Sequence, residues 1–349
     1  MFIYILCYLW YGKEDNMNAP AYTINACIVD LVAKIAEKVG ELKNTNEYSR
    51  NLRLRKINRL RSIQSSLAIE NNTLSLGQVT DIIEGKRVLA LPHEIVEVKN
   101  AYLAYEHLFD YNPYSVKDFL QAHRLMTLHL LKDAGRFRSQ GVGVFEGSKL
   151  IHPGAGYQFV PQLITDLFAW AKKSELHPLI KSSVLHFEIE FIHSFMDGNG
   201  RIGRLWQILI LSHWNNLFAW LPLETVVYHN QQDYYDALAT SQKAADSESF
   251  IVFMLHAILQ ALDELPVRKI TDIFTDKITD ILSKTELEFL ELIAGYIDKY
   301  GEITNYRAQL LTHKSDVSVK KYFAKFVEIG ILRVEGRNKG RKYLINREG

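Results

Sequence analysis

Cysteine is nearly absent from this chain, and so is any excess of charge. Only Cys7 and Cys27 occur among 349 residues. They form neither a disulfide framework nor a metal-ligand spacing, which suits a reducing cytosol. Lysine and arginine number 41 against 40 aspartates and glutamates, so no whole-chain field draws the protein to nucleic acid or to a membrane surface. Eight prolines and nineteen glycines exclude fibrous and low-complexity classes. The remaining composition, 48% hydrophobic and 23% charged, is that of a soluble globular protein, long enough for two or three domains with at least one sizeable core. Long apolar runs are lacking too. The N-terminal "MFIYILCYLWY" has eleven apolar residues, too few to span a bilayer, and no basic segment precedes it as a secretory signal requires. A signal cleaved near "NAPA" would have Lys13, Glu14 and Asp15 interrupting its approach. The reading adopted is translation from Met17 and a cytoplasmic protein.

What is present is mostly helical patterning. From Ala26 to about Leu131, apolar residues recur at spacings of three and four, as in "ACIVDLVAKIAEKV" and in "LPHEIVEVKNAYLAYEHLFDY" after Pro92. Helical patterns resume from Gln162 and continue to about Leu265. Between them, "SQGVGVFEGSKLIHPGAGYQFVP" (139–161) carries five glycines between short alternations, Val142 and Val144, then Tyr157 and Phe159. That pattern predicts a β-hairpin with a long tip. Residues 266–283 read as a charged, partly helical connector. From Lys284 the character changes: an amphipathic helix in "TELEFLELIAGYIDKY", a short one in "NYRAQLL", a Ser/Asp-capped one in "SDVSVKKYFAKFVEIG", then two strands around a basic turn in "ILRVEGRNKGRKYLI". Three helices and a small hairpin outline a winged helix-turn-helix.

The densest chemistry lies in "HSFMDGNGRIGR", His193 to Arg204. As a calcium loop it would put Phe195 and Trp206 where carboxylates are needed, so calcium is excluded. Gly198, Gly200 and Gly203 spell the dinucleotide pattern; "LHFEIEF" before them alternates like a strand and Glu224 lies near the required distance. The rest of the chain, however, lacks the strand–helix alternation of a parallel sheet. No lysine follows in the order of a P-loop. A phosphate cradle of another kind survives. Gly198 and Gly200 let successive amides turn toward an anion, the helix beginning at "RIGRLWQILI" adds its N-terminal dipole, and Arg201 and Arg204 stand on neighbouring helix positions to fork onto phosphate oxygens. Asp197 is placed to hold a magnesium ion bridging two phosphates, and His193 to take a proton from an incoming hydroxyl.

This segment has the form H-x-F-x-[DE]-G-N-G-R-x-x-R, and it resembles the active-site signature of the Fic family at every fixed position. The helices from about 60 to 250 and the glycine-rich hairpin resemble the Fic domain and its target-binding flap. The expected fold class is therefore mainly α: a Fic helical domain with a β-hairpin flap, plus a C-terminal winged helix-turn-helix. The expected divisions are an N-terminal segment over 1–60, an inhibitory helix and helical region over 61–132, a catalytic core over 133–265 with its flap at 139–161, the connector over 266–283 and the winged-helix domain over 284–349. The resemblance implies transfer of AMP from ATP to a tyrosine, serine or threonine hydroxyl of a protein, releasing pyrophosphate. It assigns His193 as general base, Phe195 as support of the loop and Asp197 as the Mg²⁺ ligand. Gly198, Asn199 and Gly200 would grip the α- and β-phosphates. Arg201 would neutralise charge on the leaving group, and Arg204 would hold the γ-phosphate. The related Doc toxin, a kinase, has lysine where Gly200 stands, so Gly200 argues for AMP transfer.

"SLAIEN", Ser66 to Asn71, resembles the family's inhibitory motif [ST]-x-x-x-E-[GN]. Read from the sequence alone it is a helix end with an exposed Glu70; the resemblance implies that Glu70 pairs in bidentate fashion with Arg204 and occupies the γ-phosphate's place, and in some relatives the same glutamate supports removal of AMP. "YHNQQDYYDAL" resembles the adenine-side segment, with Tyr234 or Tyr235 either against the base or in the core. The hairpin from about Val142 to Val160 would pair by its edge with an extended stretch of target. From Thr304 onward, 11 basic and 4 acidic residues suit contact with a DNA backbone, or a solvated face used for protein contact or a homodimer. Two rival functions stand beside AMP transfer: a nucleotide-sensing DNA-binding regulator, and a Fic enzyme transferring a different phosphate-containing group.

Overall fold

The computed structural model describes residues 19–45, 52–141, 143–146, 149–153, 155–265, 282–336 and 340–346. The N-terminal run at 1–18 and all but the last two residues of the 266–283 connector lie outside them. The chain divides into two compact units, one ending at Leu265 and one beginning at Pro266. Among the described residues no helix is long and apolar enough to cross a membrane.

The first unit is built around two helices, α7 (Pro178–Ile192) and α8 (Asn199–Trp214). Both are apolar on nearly every side and both are buried along most of their length. The alternation in "LHFEIEF" therefore belongs to a helix enclosed on all faces, where period two carries no strand signal. His177 starts α7, its ring accepting from the Leu179 amide, with Pro178 in the first turn. Around the pair lie α1 (Ala26–Thr45), α2 (Leu52–Ile69), α4 (Pro92–Glu106), α5 (Val116–Thr127), α6 (Val160–Lys173), α9 (Leu223–His229), α10 (Gln231–Ala244) and α11 (Glu248–Asp263). A short helix, α3 (Leu76–Ile83), opens on a Ser75–Gln78 capping box. One continuous apolar core runs from Ile28 to Leu265. The divisions expected at 60 and 132 fall within that core, and α2 crosses the first of them.

The hairpin differs from the sequence expectation in where its second strand lies. β1 (Gly143–Glu146) pairs antiparallel with β2 (Lys149–Pro153), Glu146 opposite Lys149, with an irregularity between Val144 and Phe145. Only residues 147–148 separate the strands, so the tip is short. Tyr157–Phe159 forms a 3₁₀ turn and not a strand. Pro161, in the first turn of α6, has no N–H for a ladder and carries a φ suited to a helix, so the chain winds up ahead of it.

The second unit contains α12 (Lys284–Tyr300), opened by a Ser283–Glu286 capping box and closed by Gly301 at φ 81°. Then follow β3 (Ile303–Thr304), α13 (Asn305–Thr312), α14 (Asp316–Glu328), β4 (Leu332–Glu335) and β5 (Lys342–Ile345). The strands form an antiparallel sheet in the order β3-β5-β4. The two-residue β3 has no counterpart in the sequence reading. Phe289, Phe323 and Phe326 fill the core, with the Phe323 and Tyr343 rings stacked at 3.9 Å. Lys325 does not join an outer basic face: its Nζ donates to both Glu286 oxygens on α12, at 2.9 and 2.8 Å.

Candidate active site

The signature segment is the connection from α7 to α8. His193 ends α7 in the left-handed region (φ 53°, ψ 64°), a strained conformation for a non-glycine residue, worth about 1–2 kcal/mol. Its ring is half-buried, and no described side chain hydrogen-bonds it. Phe195 is fully buried beneath the loop, stacked face to face on His123 at 3.6 Å. The Asn199 side chain closes the loop on itself, accepting from the Phe195 amide and donating to the Phe195 carbonyl, both at 2.9 Å. Gly198 takes φ 84° and enters α8 without a side-chain cap. The first helical bond runs from the Ile202 amide to the Gly198 carbonyl, so the amides of Asn199, Gly200 and Arg201 open the helix with no intrahelical acceptor.

Two arginines border these amides. Arg201 is almost fully buried, its Nη2 3.3 Å from Asp197 Oδ1 and its Nη1 3.6 Å from Glu97 Oε1. Its Nε and Nη1 are buried without a hydrogen-bond partner. A buried guanidinium with unmet donors beside open helix amides is a site suited to an anion. Arg204, 3% exposed, donates from Nη2 to Glu70 Oε1 at 2.8 Å and to the Ser66 carbonyl at 3.0 Å, and from Nε to Ser66 Oγ at 3.0 Å. Burial is the largest single influence and works against its charge, yet Glu70, Tyr234 and Glu190 together outweigh it and raise its pKa above the ordinary arginine value. The bidentate Glu70 pair of the sequence reading is thus a single contact through Nη2, which Ser66 shares through its carbonyl while its hydroxyl accepts from Nε. Glu70 is not an exposed side chain either: it is 32% accessible, and its Oε1 stands where a Cβ at Gly200 would fall.

Asp197 accepts from the Gly198 amide and is 58% exposed. Among the described residues no group of three or more His, Cys, Asp or Glu could hold a metal. The donor set fits an ion that takes one carboxylate from protein and further oxygens from a bound phosphate chain, the habit of Mg²⁺.

Tyr234 lies in the core, its hydroxyl 3.2 Å from His186 Nε2. Its ring therefore has no free face, and the expectation of a base contact falls to Tyr235, which is 43% exposed with its hydroxyl donating to the Ile69 carbonyl beside Glu70. Glu224, the acid that a dinucleotide site would use, is buried and accepts from the Tyr105 hydroxyl.

Three site residues escaped the sequence reading. His123 on α5 accepts from the Gly135 amide at Nδ1 (3.0 Å), which leaves Nε2 protonated to donate to the Asp197 carbonyl (3.0 Å). Burial lowers its pKa to about 4, so the ring stays neutral. Glu190 on α7 has a buried oxygen 3.7 Å from His186 and next to Gly200 and Gly203; burial pushes its carboxyl up, but His186 and Arg204 pull it below the ordinary value. Arg138 contacts the His193 carbonyl.

A family profile described as Fic/DOC matches residues 113–211, from the start of α5 through most of α8. The chain is 26% identical over 254 residues to protein adenylyltransferase fic-1 of Caenorhabditis elegans, covering 66% of this chain and 48% of that protein. It is 26% identical over 214 residues to protein adenylyltransferase Fic of Nematostella vectensis, covering 58% and 47%. The chain thus spans about half the length of these curated relatives. A crystal structure of a Fic family protein from Desulfovibrio desulfuricans G20 aligns along nearly the whole chain: 38% identity, TM-score 0.69, with 95% of this chain and 99% of that one covered. With the glycine-opened helix, its arginines and that end-to-end likeness together, the chain belongs to the Fic family.

Proposed function

We propose that this protein transfers AMP from ATP to a hydroxyl side chain of a protein. The observation that carries the reading is the buried Arg201, with two unmet donors, beside the open amides of Asn199, Gly200 and Arg201. Such a cradle suits a polyphosphate better than a single carboxylate. The target's hydroxyl oxygen attacks the α-phosphorus as the bond from that phosphorus to the β-phosphate's bridging oxygen breaks. The hydroxyl proton passes to the His193 ring, and pyrophosphate leaves. Arg201 balances charge gathering on the leaving group, while Asn199 acts by holding Phe195 and keeping the loop closed. Asp197 would hold Mg²⁺, which supplies charge neutralisation between phosphates. Gly200 leaves room for the chain, since a Cβ there would lie 3.0 Å from Arg204 Nη1.

The Glu70–Arg204 contact supports self-inhibition. With Glu70 in place Arg204 Nη2 is engaged and the carboxylate stands beside Gly200, repelling the γ-phosphate. The pairing β1–β2 edge is the proposed docking line for an extended target. Exposed Lys321 on α14 and Arg341 just before β5 are the proposed contact for duplex DNA, with a homodimer contact as the other use of this unit and the cytoplasm as the proposed location. The reading is tested by incubating the Glu70→Gly protein with ATP, Mg²⁺ and cell lysate and sequencing modified peptides by mass spectrometry. Adenylyl groups on Tyr, Ser or Thr, with pyrophosphate in equal amount, are expected; pyrophosphate without any adenylylated peptide would overturn it.

A further inference from the structure

Arg138 lies outside the signature, on the segment leading into the hairpin, yet its side chain reaches both the site and the hairpin. That side chain is buried, 3% exposed, and all its acceptors are main-chain carbonyls. Nε donates to the His193 carbonyl at 2.6 Å, and Nη2 reaches the Ile192 carbonyl at 3.4 Å. Those two groups are the last acceptors of α7, where a cation also meets the negative end of the helix dipole. Nη1 donates to the Gln140 carbonyl at 3.0 Å, and Nη2 to the Ala155 carbonyl. Gln140 precedes β1 and Ala155 follows β2, so the same guanidinium holds both feet of the hairpin. The Arg138 amide adds a bond to the Ser194 carbonyl at 3.0 Å.

From this geometry we infer that Arg138 is a positioning residue that couples the hairpin to His193. The planar fork fixes the two feet of the hairpin and the backbone of His193 in one frame. A target strand that pairs with the hairpin edge is thereby held in register with the imidazole. His193 needs such a hold, because its left-handed backbone is strained and no described side chain orients its ring. Lysine cannot replace the arginine: a single ammonium offers three donors from one point and cannot span carbonyls on both sides. Coupling of this kind is reciprocal, so a strand bound on the hairpin tightens the His193 backbone as much as the reverse.

The inference rests on the proposed AMP transfer only for its rate readout, so the experiment has a second arm independent of activity. Arg138→Lys is made in the Glu70→Gly background. Hydrogen–deuterium exchange is followed by peptide across 140–156, across 192–199 and across the second unit. Faster exchange in the first two segments together, with the second unit unchanged, is expected; unchanged exchange in either of the two overturns the coupling, whatever the activity. Transfer of α-labelled AMP to lysate proteins should fall roughly 10- to 100-fold, the cost of displacing a reacting group by about 1 Å, with the KM for ATP within about twofold. A rate within twofold of the parent, or a KM for ATP that rises as far as the turnover falls, overturns the positioning role.

Discussion

Glu70→Gly isolates the contact on which self-inhibition rests. The substitution removes one charge-assisted hydrogen bond, Arg204 Nη2 to Glu70 Oε1 at 2.8 Å. Bonds of that type contribute about 1.5–3 kcal/mol, and the 32% exposure of Glu70 places this one toward the lower end. Arg204 does not swing free. Ser66 still accepts from Nε through its hydroxyl and from Nη2 through its carbonyl, each at 3.0 Å. The guanidinium therefore remains aimed at the cradle with a donor released for the γ-phosphate. A gain near 1.5–2 kcal/mol corresponds to roughly 10- to 30-fold in transfer rate at subsaturating ATP. The assay is AMP incorporation into lysate proteins for wild type, Glu70→Gly and Glu70→Gln, with ATP affinity measured by calorimetry in the His193→Ala background. The Glu70→Gln protein keeps the shape of the side chain without its charge and should fall between the other two. Equal or lower transfer by Glu70→Gly at the same subsaturating ATP, with Mg²⁺ saturating, would refute the inhibitory role, as would an ATP affinity that ignores residue 70.

Other outcomes follow from buried groups around the site. Glu188, enclosed in α7 with Oε1 unpartnered, has its pKa raised by burial from 4.5 to about 8. The folded state thus holds the extra proton, and the stability this contributes is present below about pH 4.5 and lost as pH rises through 8. Glu188→Met should raise the denaturation midpoint more at pH 8.5 than at pH 5, by roughly 1–3 kcal/mol in stability; an equal effect at both pH values would contradict the assignment. His123 runs the other way. Its folded pKa of about 4 lies below the ordinary 6.5, so stability falls as pH drops through that window. His123→Gln should flatten this acid dependence in denaturant titrations and also slow transfer about tenfold or more, by loosening Phe195 and the Asp197 carbonyl; an unchanged acid slope would exclude it. Tyr235→Ala should raise the KM for ATP by about 5-fold or more if the ring stacks on the base, whereas Tyr234→Phe should alter stability and leave that KM alone.

The cradle was legible because it is local. Twelve consecutive residues carry the glycines, the arginines and the histidine, and the helix that they open follows from the apolar run behind them. The Ser66–Glu70 contact with Arg204 spans more than 130 residues of chain and came from the family resemblance alone. What stayed hidden is the layer that holds the loop. His123 and Arg138 meet it across 74 and 55 residues, and nothing in the periodicity of "QAHRLMT" or "GRFRSQG" marks either one. The strand of the hairpin that returns was misplaced because the apolar alternation at Tyr157 and Phe159 is shared by a 3₁₀ turn leading into Pro161. Charge counting likewise overstated the C-terminal basic face. Lys320, Lys325, Arg333 and Lys342 each have an acidic partner within the second unit, a pairing that composition cannot show.

The most direct test of the central claim labels ATP in parallel at the α- and γ-phosphates and offers each to Glu70→Gly and to Glu70→Gly/His193→Ala with Mg²⁺ and lysate. Protein label from the α-phosphate alone, abolished with His193, is the outcome expected of a base-assisted AMP transferase. Label from the γ-phosphate would make the enzyme a kinase and reverse the nucleotide in its cradle, and α-label that survives loss of His193 would remove the histidine from the chemistry.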